Sequence, residues 1–286
     1  MRVVRNVEQL REALEYMREG GHGPIGFVPT MGFLHEGHAS LLRRAAEMSG
    51  TVVMSIFVNP LQFGPDEDLD AYPRTLEADS EKLTEAGCHI LFAPNANEMY
   101  PNGTEAQTQV NVPKLVEELC GASRPGHFTG VTTVVTKLFN IIQPDIALFG
   151  QKDFQQLAVI RKMAADLCMP VEILGVSTVR AESDLALSSR NGYLTEQELA
   201  TAPQLYQTLV KIKHAIEKGA KDFDTLCTQG NEELSQLGFT PDYLSVRRQS
   251  DLKPAGPNDD ALVILTAAHL GKARLIDNIA FALNHN

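Results

Sequence analysis

Short apolar runs at residues 25–28, 51–58, 89–93, 146–149 and 171–176 alternate with stretches whose apolar residues recur every three to four positions, and few folds accommodate that rhythm. Helical patterns cover residues 7–18, 75–86, 130–142 and 154–167. In the first, Leu10, Leu14 and Met17 share a face, and Gly20, Gly21 and Gly23 then break it. After a turn over 29–34, a further helix carries Leu41, Leu42 and Ala45. Strand–helix–strand units of this size place their strands parallel in one sheet with helices on both faces. The pattern therefore predicts an α/β fold with a Rossmann-like, doubly wound parallel sheet over residues 1–176. In such sheets ligands collect beyond the carboxyl ends of the strands, near the point where the strand order reverses.

After residue 176 the rhythm changes. A polar connection over 177–190 leads to helical patterns at 195–218 and 223–237 and to three late strands near Tyr243, Val263 and Leu275. This reads as a smaller C-terminal α+β domain, 177–286, with the 177–190 segment as a hinge or ligand-covering connection. A formal net charge of −11 without a Lys or Arg run argues against nucleic-acid binding, so the positive contacts of any anionic ligand must be local. No stretch of about 18 apolar residues occurs. The opening Met1-Arg2-Val3-Val4-Arg5-Asn6 runs into a charged helical pattern rather than an apolar leader, which gives a cytoplasmic protein as the expectation. Cys88, Cys120, Cys168 and Cys227 are far apart and form no C-x-x-C pair, so buried free thiols are expected rather than disulfides or a thiolate zinc site.

The strongest chemical signal is Pro29-Thr30-Met31-Gly32-Phe33-Leu34-His35-Glu36-Gly37-His38, where the first apolar run hands over to a helix. Two histidines three apart at a helix start can donate to one oxyanion, and the helix end adds backbone N–H groups and partial positive charge. Gly37 leaves room for close approach. The competing readings are two surface helix residues, or a shared zinc ion. The spacing H-E-x-H differs from the zincin H-E-x-x-H, and no cysteine lies near, which ranks metal below phosphate.

A second segment, Gly150-Gln151-Lys152-Asp153-Phe154-Gln155-Gln156, again follows a strand and opens a helix. Lys152 offers a mobile charge for phosphate oxygens, and Asp153 suits a helix start as a cap or purine contact. A third, Leu187-Ser188-Ser189-Arg190-Asn191, combines hydroxyls with a guanidinium, a clamp for polyphosphate or simply a serine-rich loop. A fourth, Phe57-Val58-Asn59-Pro60-Leu61-Gln62-Phe63-Gly64, follows the second strand. Gln62 and Gln156 both carry amides suited to a hydroxyl-bearing carboxylate.

With these segments in chain order, the sequence resembles the pantothenate synthetase family of the HIGH-motif nucleotidyltransferase superfamily. The resemblance extends through Asp68-Leu69-Asp70-Ala71-Tyr72-Pro73-Arg74-Thr75, Arg124-Pro125-Gly126-His127-Phe128 and Leu275-Ile276-Asp277-Asn278, and so spans nearly the whole chain. It implies condensation of pantoate with β-alanine, driven by ATP accompanied by Mg2+ through a pantoyl adenylate, with release of AMP and pyrophosphate. It further implies an ATP site at Met31, Gly32, Phe33, Leu34, His35, Glu36, Gly37, His38, Gly150, Gln151, Lys152, Asp153, Val179, Leu187, Ser188, Ser189 and Arg190. His35, His38, Lys152 and Arg190 would be catalytic, and Gln62 and Gln156 would hold pantoate. No protein-held metal is implied. A homodimer built through the N-terminal domain is expected, with the C-terminal domain acting as a lid.

Two positions depart from the family pattern: Gln151 stands where a glutamate is usual, and Asp184 where a glycine is usual. They bear on the charge and conformation of the loops around the nucleotide. They also motivate one alternative, a catalytically idle nucleotide-binding protein. Another is a nucleotidyltransferase of the same superfamily acting on a different small acceptor.

Overall fold

In the computed structural model of the protein, residues 1–65, 67 and 69–283 are described. Asp68 of the 68–75 stretch lies outside them.

The α-helices and strands run β1 (Arg2–Val4), α1 (Val7–Glu19), β2 (Ile25–Thr30), α2 (Glu36–Met48), β3 (Thr51–Ile56), α3 (Leu76–Glu85), β4 (Ile90–Phe92), α4 (Ala96–Met99), α5 (Cys120–Ser123) and α6 (His127–Ile142). Then come β5 (Ile146–Gly150), α7 (Phe154–Asp166) and β6 (Glu172–Val176). The six strands form one sheet in the order β1-β4-β3-β2-β5-β6, with every pairing parallel. From β2 the chain steps outward through β3 to β4 and later returns to the other flank with β5 and β6. The order therefore reverses between β2 and β5, and the sheet is doubly wound as its sequence rhythm predicts. Phe27, Val28, Val52, Met54, Leu91 and Leu148 are fully buried, because helices cover both faces; hence the strands read as continuous apolar runs.

A second group follows: α8 (Glu196–Thr201), α9 (Gln204–Glu217), α10 (Phe223–Gln236), β7 (Thr240–Arg248), β8 (Ala261–Leu270) and β9 (Ala273–Ala282). The three strands form an antiparallel meander, β7-β8-β9. Leu209, Ile212 and Ile216 of α9 and Phe223 and Cys227 of α10 bury their side chains against Leu244, Val246, Leu262 and Ile264 of that meander. Contacts divide the chain into two compact units. One comprises Met1–Gln151 with Gln156–Ser177; the other comprises Lys152–Gln155 with Thr178–Asn286.

Several boundaries differ from the sequence reading. Residues 2–4, read as leading directly into a helix, form β1, where the Arg2 N–H donates to the His89 carbonyl at 2.8 Å. Pro29, placed in a turn, is the penultimate residue of β2, and the strand expected to reach residue 58 stops at Ile56. The pattern at 195–218 is two helices. Pro203 interrupts it, because its ring occludes the preceding turn and it has no N–H to donate. Cys88, Cys120 and Cys227 are buried free thiols, but Cys168 is exposed. Among the described residues no helix is long and apolar enough to cross a membrane.

Candidate active site

The loop from Met31 to His35 leaves β2 where the strand order reverses and delivers His35 as the N-cap of α2. Its imidazole takes the part usually played by Ser, Thr or Asp. His35 Nδ1 accepts the Gly37 N–H at 3.1 Å, and His38 Nδ1 accepts the His35 N–H at 3.2 Å. A ring nitrogen that accepts an N–H carries no proton, so this arrangement leaves Nε2 as the donor nitrogen of each ring. The two rings lie 4.2 Å apart, centroid to centroid. A side chain at position 37 would bring a Cβ to 2.9 Å from the His35 ring, so glycine there permits the cap. The α2 N-terminus adds its partial positive charge.

The connection is held from α3. The buried Asp79 carboxylate accepts the N–H groups of Phe33 and Leu34, each at 2.8 Å, and Lys82 Nζ donates to the Leu34 carbonyl at 2.8 Å. Sequence reading missed both residues.

Beyond β3, a 3-10 turn at Pro60–Gln62 presents the Gln62 side chain, which is 8% exposed. The Tyr100 hydroxyl donates to Asn59 Oδ1 at 2.7 Å, and Asn59 Nδ2 donates to Gln62 Oε1 at 3.1 Å. That relay fixes the amide: Oε1 is occupied, and Nε2 is the donor end, 3.2 Å from Met31 Sδ. Sulfur is a weak acceptor, so a ligand carboxylate or hydroxyl would be the stronger partner. Burial raises the Tyr100 phenol, which keeps it a donor. The Gln62 carbonyl meets His127 Nδ1 at 2.8 Å, and His127 Nε2 meets Arg124 at 3.0 Å. Arg124 forms a two-pronged pair with Glu67 at 2.7 and 2.6 Å. Burial pushes the Glu67 carboxyl up, but Arg124 and His127 outweigh it and hold it below its usual value. Thus the Arg124-Pro125-Gly126-His127 segment backs the turn that carries Gln62. Gln156 is half-buried in the first turn of α7.

In the second unit, the Lys152 carbonyl accepts Asn278 Nδ2 at 2.8 Å. The neighbouring Asp277, 4% exposed, pairs with both terminal nitrogens of Arg180 at 2.7 and 2.8 Å. Arg180 also lies 3.5 Å over the Tyr206 ring. Burial alone would lower the guanidinium pKa; the hydrogen bonds and charge of Asp277 overcome it and raise it. Arg180 begins a tight hairpin in which Leu187 N–H donates to Val179 O at 3.0 Å and Ala181 N–H to Leu185 O at 2.9 Å. Asp184 sits at its tip with φ 72°, the left-handed region that favours glycine. The hairpin closes despite the aspartate, because Asp tolerates this region better than most residues. Ser188 Oγ then accepts the Arg190 N–H at 3.3 Å and caps the 3-10 turn Ser189–Tyr193. Lys152, Ser188, Asn191, Tyr206 and Asp277 line a cavity within this unit.

Met31 to His38, Gly150, Gln151, Gln62 and Gln156 thus belong to the first unit. Lys152, Asp153, Val179, Leu187, Ser188, Ser189 and Arg190 belong to the second. Among the described residues, no three His, Cys, Asp or Glu side chains group so as to hold a metal ion.

The family model described as pantoate-beta-alanine ligase matches residues 2–280. The pantothenate synthetase of Pseudomonas aeruginosa strain PAO1 is 58% identical over 284 residues, which is 99% of this chain and 100% of the relative. That of Pseudomonas putida strain KT2440 is 59% identical over 279 residues, covering 98% and 97%. Among solved structures, pantothenate synthetase from Thermus thermophilus superposes with a TM-score of 0.91 at 46% identity, over 98% of this chain and 99% of that one. Pantoate-beta-alanine ligase from Francisella tularensis, complexed with beta-gamma ATP and beta-alanine, gives 0.83 at 32% identity, over 98% and 97%.

Proposed function

This chain belongs to the pantoate–β-alanine ligase family, and on that premise we propose that it joins pantoate to β-alanine in two steps, through a pantoyl adenylate. It is an ATP-dependent ligase that forms a C–N bond. A carboxylate is a poor acceptor for an amine at neutral pH, so the acid must first receive a leaving group. The pantoate carboxylate attacks the α-phosphorus of ATP and pyrophosphate leaves. The β-alanine amine then attacks the acyl carbon, AMP leaves with the bonding electrons, and the nitrogen loses a proton.

The observation that carries this reading is the imidazole pair at the start of α2, both rings accepting backbone N–H groups at Nδ1 and so carrying their protons at Nε2. His35 and His38 supply those N–H donors to phosphate oxygens as charge moves onto them. Lys152 and Arg190 add full positive charge. Met31, Gly32, Phe33, Leu34, Glu36, Gly37, Gly150, Gln151, Asp153, Val179, Leu187, Ser188 and Ser189 complete the nucleotide site. Gln62, oriented by Asn59 and Tyr100, and Gln156 hold pantoate. Mg2+ would accompany the triphosphate and, bound there, would neutralise phosphate charge.

The same reading takes residues 1–176 and 177–286 as two domains, the second serving as a lid that keeps water from the mixed anhydride. It also takes the protein as a cytoplasmic homodimer built through the first domain. The test is incubation of purified protein with ATP, Mg2+, pantoate and β-alanine. AMP, pyrophosphate and pantothenate should appear in equal amounts and only when pantoate is present. A stable nucleotidyl conjugate in place of free AMP, or ATP binding without turnover, would defeat the reading.

A further inference from the structure

We propose that Asp79 is a positioning residue for this reaction, clamping the loop between β2 and α2 so that His35 and His38 keep their orientation; the inference rests on the ligase reading above. Asp79 is 1% exposed. Its Oδ1 accepts the Leu34 N–H at 2.8 Å, and its Oδ2 accepts the Phe33 N–H at 2.8 Å and the Thr75 hydroxyl at 3.1 Å. Removing a carboxylate from water is unfavourable unless several donors replace the water, and here three do.

What the carboxylate holds is a backbone with two successive residues at positive φ. Gly32 has φ 87° and the next residue, Phe33, has φ 52°. For an aromatic residue the left-handed region is sterically unfavourable, so an external restraint helps to hold the loop there. Asp79 supplies it by bridging two successive N–H groups. Position 32 favours glycine for a further reason: a Cβ there would lie at a tight 3.2 Å from Asp79 Oδ2 and 3.1 Å from Ile56 Cγ2. Lys82, three residues further along α3, takes the Leu34 carbonyl. One helix therefore grips the same short stretch by both its donors and its acceptor.

The next residue is His35. Its N–H donates to His38 Nδ1, and its own Nδ1 accepts from Gly37. A turn of the Leu34–His35 peptide would withdraw the donor that orients His38 and swing the ring that caps α2. Capping α3 does not account for Asp79, because its carboxylate bonds run to the loop and to Thr75 rather than to the open N–H groups of its own helix.

Asp79→Asn keeps the size but turns an NH2 group towards an N–H. The expected result is a fall in kcat of about 10²-fold, the scale of a misplacement near 1 Å, with KM for pantoate changed by less than about threefold. A second readout needs no turnover. In 1H–15N spectra of imidazole-labelled protein, His35 and His38 should be Nε2-protonated in the unaltered chain and averaged between tautomers in Asp79→Asn. Lys82→Met, at an exposed position, should lower kcat by about tenfold in the same direction. It decides the matter if Asp79→Asn fails to fold. Unaltered kcat and unaltered tautomer signals, with only a lower melting temperature, would overturn the proposal. Absence of turnover in the unaltered protein would instead sink the ligase reading, and the imidazole spectra would still test the clamp.

Discussion

Asn278, in β9, donates its side-chain amide to the carbonyl oxygen of Lys152 at 2.8 Å across 126 residues of sequence. A lysine ammonium rides on four flexible methylenes, so the volume it sweeps is set by where its backbone is pinned. Asn278→Ala removes a neutral hydrogen bond worth about 1 kcal/mol. It should lower kcat/KM for ATP by about fivefold and leave KM for β-alanine unchanged. Steady-state kinetics with each substrate varied in turn will show this; an equal loss for all substrates would make the contact purely structural.

His38→Ala should reduce kcat by about 10²–10³-fold, the range for losing one donor aimed at developing oxyanion charge. Its far-ultraviolet circular dichroism should match that of the unaltered protein. Turnover near the original level would remove His38 from the chemistry.

At the hairpin tip, Asp184 occupies φ 72°, so the aspartate is strained where a glycine would not be. Asp184→Gly should leave urea stability within about 0.5 kcal/mol, since relief of strain is offset by a freer unfolded chain. Asp184→Val should destabilise by about 1–2 kcal/mol. It should also raise KM for ATP, because Val179 and Leu187 pair across that hairpin.

The Glu67 carboxyl is held below its ordinary value of 4.5: burial raises it, and Arg124 and His127 lower it by more. A depressed folded pKa means stability that is complete above the unfolded value and lost as pH falls through the folded one. Melting temperature should therefore drop below pH 4.5, and Glu67→Gln should flatten that part of the curve. An unchanged slope would show that other carboxylates dominate acid unfolding.

Thiol reactivity should divide the cysteines. Cys168 is exposed, whereas burial pushes the Cys88 and Cys227 thiols up to about 11. At pH 8 a disulfide reagent should modify one thiol rapidly in the native protein and four after denaturation, and Cys168→Ser should abolish the fast phase.

The parallel sheet is readable in the sequence because its central strands are covered on both faces, leaving unbroken apolar runs such as that of β2. The histidine loop is readable for the same reason, since it follows the first of those runs. β1 is not readable. It has three residues and only Val4 is buried, so pairing with β4 makes it a strand rather than any pattern of its own. The break at Pro203 is masked because Ala202, Leu205 and Leu209 are buried on either side of it and the apolar period continues across. Asp79 stands between Glu77 and Glu81 and reads as one more solvated charge. Its burial comes from a loop 46 residues earlier, and no local spacing announces that. The Tyr100–Asn59 bond, 41 residues apart, is hidden in the same way.

The chain passes from one unit to the other three times, after residues 151, 155 and 177. During synthesis the Lys152–Gln155 turn leaves the ribosome with its flanking residues long before β9 exists to receive it. No single cut yields both halves whole: a fragment ending at residue 177 would carry that turn without the partners it is grouped with, and the complementary fragment would lack a piece of its own contact network.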